Sequence, residues 1–135
     1  MRKLLLLISL VIASFSNAAA QNGLAIGQWR SHLPHVVGQW VTQSDEKVFY
    51  ATEWAIVSFD KGDFSTDYLS TVDGLSNTGV RMIKYVPGSA ILIIVYENSV
   101  IDLVKPNEIF TLNQIRNFQG IVGEKIIYDI AIESD

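Results

Sequence analysis

Apolar residues in this chain come as short runs rich in Val, Ile, Tyr and Phe, closed off by Gly, Pro, Asn and Asp. Nowhere after residue 20 does an apolar period of 3.6 persist for three turns, so strands rather than helices are predicted. The pattern places them at Gly27–Ser31, Gly38–Thr42, Lys47–Thr52, Ala55–Asp60, Asp67–Ser70, Val80–Val86, Ile91–Tyr96, Val100–Val104, Ile109–Leu112 and Ile126–Ile132. Turn signals lie between them: Ser44-Asp45-Glu46, Asp60-Lys61-Gly62-Asp63, Pro87-Gly88-Ser89, Glu97-Asn98 and Lys105-Pro106-Asn107. Strand and turn together recur at spacings of about 8–12 residues, the rhythm of an antiparallel meander.

The meander repeats. Residues 47–61 return 44 positions on as 91–105, which sets Glu53 on Glu97 and Lys61 on Lys105. A strand repeat of about 40–45 residues is the period of β-propeller blades. The predicted fold is therefore all-β, with one four-stranded antiparallel blade over 38–70, a second over 80–112 and the start of a third at 126–132. Gly27–Ser31 is expected to be a closing strand, pairing with a blade from the other end of a propeller. A closed propeller takes roughly 4–8 blades, so the chain is expected to be the front part of a larger one. The runs Val48-Phe49-Tyr50-Ala51 and Leu92-Ile93-Ile94-Val95 are apolar on both sides, as in strands buried on two faces. A β-sandwich or open meander is the alternative packing.

The leader changes the composition. Arg2 and Lys3 precede an apolar run from Leu4 to Ala13, followed by small and polar residues through Ala18-Ala19-Ala20. That is the layout of a secretory signal peptide over 1–20, cut after Ala20 or after Ala18. Its removal takes no acid and leaves 8 basic against 14 acidic side chains, a net charge of −6. An acidic unit of this kind lacks the footprint of a nucleic-acid binder. With no cysteine, disulfides and a lipoprotein anchor are excluded.

Candidate chemistry is sparse. His32-x-x-His35 has a helical metal spacing but sits beside Pro34 in a loop, with no third ligand near; two exposed loop histidines are expected. Asp60-Lys61-Gly62-Asp63 lacks the alternating acids and final Glu of a calcium loop and reads as a turn. Glu53 and Glu97 occupy equivalent turns, which favours structure over a paired-carboxylate site. Nucleophile elbows and phosphate-cradling glycine loops are absent. Of the tryptophans, Trp40 is expected in the core and Trp54 at the surface, where it could meet a sugar. No catalytic, cofactor-binding or metal residue is assigned, and no ligand-contacting residue either.

Leu69-Ser70-Thr71-Val72-Asp73-Gly74-Leu75-Ser76-Asn77 resembles the blade linker of two-component-regulator propeller repeats. With Ile26-Gly27-Gln28-Trp29-Arg30-Ser31-His32-Leu33-Pro34, Lys47-Val48-Phe49-Tyr50-Ala51-Thr52 and Gly123-Glu124-Lys125-Ile126-Ile127-Tyr128-Asp129-Ile130, the order of motifs is similar to the N-terminal propeller of the PorZ family. The resemblance implies a non-enzymatic component of the type IX secretion system, exported across the inner membrane and associated with the outer membrane at the surface or in the periplasm. Its implied partners are the attachment-complex proteins, a sortase-like component with its outer-membrane partners, and anionic lipopolysaccharide delivered to that complex. A periplasmic sensor propeller of a hybrid two-component regulator is the alternative.

Overall fold

A computed structural model describes residues 34–133, and within them the strands form two four-stranded antiparallel sheets. The first contains β1 (Gly38–Gln43), β2 (Lys47–Thr52), β3 (Ala55–Asp60) and β4 (Thr66–Ser70) in sequential order. The second contains β5 (Val80–Val86), β6 (Ile91–Tyr96), β7 (Ile101–Lys105) and β8 (Glu108–Leu112), again in order. A single 3-10 turn, Thr71–Asp73, leads from one sheet to the next. A one-turn helix, α1 (Gln114–Asn117), follows the second sheet. β2, β3, β5 and β6 have the boundaries expected from the apolar pattern; β1, β4, β7 and β8 differ from it by a residue at one or both ends.

Each sheet is a blade, and the two stack face to face. Side chains alternate between faces along a strand, so directly paired residues share a face. Ala51 pairs with Ile56 and Ile56 with Leu69, which aims this set, with Phe49, at the second blade. There they meet Ile83, Leu92, Ile94, Tyr96 and Val100 in one core cluster. Phe49 stacks on Tyr85 with ring centroids 5.8 Å apart. Burying each large aliphatic side chain in such a layer contributes roughly 1.5–3 kcal/mol. Across the blades, the Tyr85 amide donates to Thr42 Oγ1 at 3.1 Å and ties β5 beside β1.

The repeat is not in perfect phase. In the first blade Tyr50 faces Val57 across β2–β3, whereas in the second Ile94 faces Asp102 across β6–β7. The second hairpin therefore holds one extra residue. Ser99 lies at φ 60 in its turn and is fully buried. A slip of one residue exchanges the faces of all that follows, so the structural counterpart of Asp102 is Val57, not the Ser58 that a uniform offset of 44 gives. This insertion also moves the start of the strand expected at Val100 to Ile101; Val100 instead closes the turn by accepting the Tyr96 amide at 3.0 Å.

Ile126–Ile132, expected as a strand, carries no ladder among the described residues. It runs beside β5 through side chains: Arg81 Nε donates to the Ile127 carbonyl at 3.0 Å and Lys84 Nζ to that of Ile130 at 2.5 Å. The segment occupies the same place beside β5 that β5 occupies beside β1. A strand needs a second strand to exchange backbone hydrogen bonds with, and none follows within the described residues. The expected strand at Gly27–Ser31 lies outside them.

Candidate functional site

The Asp-Gly-Leu-Ser linker is hydrogen-bonded at both of its ends. Ser70 caps the 3-10 turn by accepting the Val72 amide, while Asp73 Oδ2 accepts from the Ser70 amide at 3.0 Å and its hydroxyl at 2.8 Å. This reciprocal capping box fixes where the first blade ends. Gly74 follows at φ 114, a left-handed conformation that glycine adopts without Cβ strain. The reversal drives Leu75 into the inter-blade core, where it is buried.

Beyond Leu75 the linker is locked to the second blade. The Ser76 amide donates to Asp102 Oδ2 at 2.8 Å. The Tyr96 hydroxyl reaches the same oxygen at 2.6 Å, and the Thr111 hydroxyl donates to Oδ1 at 2.7 Å. Asp102 is fully buried, so these three donors replace the water its carboxylate has lost. Burial, together with the hydrogen bond and charge of Asp102, pushes the Tyr96 hydroxyl far above the usual tyrosine range. Strand periodicity and turn signals do not mark this node. Its signal was present: one acid inside the apolar run Val100-Ile101-Asp102-Leu103-Val104.

The equivalent turns at Glu53 and Glu97 converge on Gly79 through their backbones. The Gly79 amide donates to the Glu53 carbonyl at 2.8 Å, and the Glu97 amide donates to the Gly79 carbonyl at 2.9 Å. Both glutamate side chains are exposed, and what the geometry uses is their peptide groups. At the opposite end, Asp60 Oδ1 accepts the amides of Gly62 and Asp63, and Asp63 Oδ1 accepts that of Ser65. The bonds from Ser65 hold the Asp63 carboxyl below the usual carboxylate value. Asp60 and Asp63 thus close the turn between β3 and β4.

Two expectations are corrected. Trp40, expected in the core, is 45% exposed, because it lies on β1 at the margin of the sheet. His35, expected to be exposed, is half-buried against Tyr68, with ring centroids 4.7 Å apart. Its Nδ1 is buried without a hydrogen-bond partner among the described residues; His32 lies outside them. Trp54 is half-buried. Among the described residues no three His, Asp or Glu side chains stand together in a metal-holding group. No helix among them is long and apolar enough to cross a membrane.

Stacked four-stranded antiparallel sheets, joined by a capped linker from the outer strand of one to the first strand of the next, define a β-propeller protein. The profile of the PorZ N-terminal β-propeller domain of the type IX secretion system matches residues 48–135, and the chain belongs to that family. Among solved structures it is similar to PorZ of Porphyromonas gingivalis, an essential bacterial surface component of the type-IX secretion system, at 20% identity and a TM-score of 0.57. That likeness, which shows the fold, covers 61% of this chain and 11% of the other. The chain thus spans about a tenth of that protein's length. Nothing among curated protein sequences matches.

Proposed function

We propose that this chain is part of a non-enzymatic surface scaffold of a type IX secretion system, holding partners by loops on a rigid propeller. The family match over 48–135 is the observation that carries the reading. The site geometry supports it: Asp102, Asp73, Asp60 and Asp63 serve as hydrogen-bond acceptors for linker and turn groups. Acid–base catalysis needs carboxyl groups free to exchange protons with a substrate, and these four are engaged in the fold.

On this reading residues 1–20 are a signal peptide removed on export and Gly27–Ser31 is a closing strand. The mature protein sits at the outer membrane with a sortase-like component and its partners, and delivers anionic lipopolysaccharide to them. The test is deletion of the gene in its own host. Cargo is expected to keep its C-terminal signal and to lose the lipopolysaccharide-dependent shift in gel mobility. Normally processed cargo together with an altered transcript profile would sink the scaffold reading and favour a sensor propeller.

A further inference from the structure

The apolar layer between the blades is closed at one end and open at the other. Near the linker, Ala51, Leu75, Val80, Tyr96 and Val100 are all buried. Toward the turns at Ser44-Asp45-Glu46 and Pro106, the facing strands leave a cavity of about 500 Å³. That volume falls in the range of roughly 300–1,000 Å³ usual for small-molecule sites. Phe49, Ile56 and Leu69 wall it on the first blade, and Tyr85, Leu92 and Val104 on the second. The stacked rings of Phe49 and Tyr85 join the two walls. Ile56 and Leu92 are buried, whereas the other four are only half-buried. An apolar occupant would remove their remaining surface from water, which is favourable.

The charged residues of the lining stand at its rim. Lys47 and Lys105, one from each blade, border the cavity with side chains 38% exposed, and Glu46 is the one acid among the lining residues. Lys47 Nζ lies 3.8 Å from Asp67 Oδ2, beyond hydrogen-bond distance. Lys105 Nζ donates one hydrogen to Glu108 Oε1 at 3.2 Å and keeps two. Apolar walls with ammonium donors at the rim suit a molecule that is apolar along its length and anionic at one end. We propose that the inter-blade cavity binds a single-chain aliphatic carboxylate, the chain lying between Phe49, Leu69, Tyr85 and Val104 and the carboxylate at Lys47 and Lys105.

The test is calorimetric titration of the full-length protein with decanoate below its micelle-forming concentration, beside decanol and decyltrimethylammonium as the neutral and cationic counterparts. Decanoate is expected to bind about tenfold more tightly than decanol, and the cation more weakly than either. Ser58→Phe, which places a ring in the cavity from a half-buried wall position, is expected to abolish binding of all three. Lys47→Gln with Lys105→Gln is expected to bring decanoate down to the affinity of decanol and to leave decanol unchanged. Arg116→Gln, on the linker outside the cavity, is expected to change nothing. No decanoate binding, decanol binding as tightly as decanoate, or a folded Ser58→Phe protein that binds like wild type would each overturn the proposal. Should Ser58→Phe fail to fold, the paired lysine variant decides, and unchanged decanoate affinity in it would overturn the proposal equally. Binding by the purified protein is read independently of cargo processing, so this inference and the secretion role fail separately.

Discussion

The two blades have one topology and nearly one spacing, yet they are buried very differently. Val48 in the first and Leu92 in the second are repeat equivalents on the face turned toward the preceding blade. Leu92 is 4% exposed because the first blade lies against it; Val48 is half-buried, and its face-mates Val41 and Tyr68 are 62% and 52% exposed. The local sequence is apolar in both. The difference is the neighbour: a blade is a repeat unit whose burial is completed by the next unit in the stack. The same holds for the polar interior, where Asp102 sits under the linker that joins the blades and Val57, its counterpart, has no linker above it among the described residues.

Urea unfolding of this chain can break or sharpen the comparison. The largest effect is expected for Asp102→Ala, which strands the Ser76 amide and the Tyr96 and Thr111 hydroxyls and should cost about 4 kcal/mol. Val57→Ala, its first-blade counterpart, should cost about 1 kcal/mol, and equal losses would mean that Asp102 is no special node. Next comes the paired test of the apolar face. Leu92→Ala is expected to cost about 3 kcal/mol and Val48→Ala about 1 kcal/mol. If the two cost the same, a neighbour covers the far face of the first blade as well.

Tyr96→Phe should cost about 2 kcal/mol at neutral pH and also change the pH profile. Because the folded-state pKa of Tyr96 stands above its ordinary 10.0, its contribution is complete below pH 10.0 and declines as pH rises beyond it. The wild type is therefore expected to lose stability faster than the Phe variant in alkaline urea titrations, and parallel profiles would refute the buried hydroxyl. The smallest effect is expected at the cap. Asp73→Ala should cost about 1 kcal/mol by releasing the Ser70 amide and hydroxyl, and no loss would show that Leu75 burial alone fixes the linker.

Strand positions, blade grouping and the structural character of the Asp-Gly-Leu-Ser linker were legible in the sequence. Period-two apolar runs and turn residues are local signals, and each blade is built from contacts close in sequence. Ser99 hid from the repeat alignment because a single inserted residue hardly disturbs an apolar pattern while inverting every face after it. The Asp102 node was visible only as an acid in an apolar strand; its partners at Ser76 and Thr111 lie 26 and 9 positions away, and no local rule brings them together. Trp40 and His35 were misjudged for a related reason: exposure at a sheet margin depends on what lies beside it.

The sequence by itself determined the class of fold, the strand order and the places where the chain turns, since alternation, β-branching and glycine act through the nearest few residues. The tertiary structure alone decided which apolar faces are covered and that the Asp102 carboxylate is consumed by donors from the linker, β6 and β8. Those outcomes depend on how one blade and its linker land on the next, through contacts such as Thr42–Tyr85 and Ser76–Asp102 whose partners lie 43 and 26 positions apart.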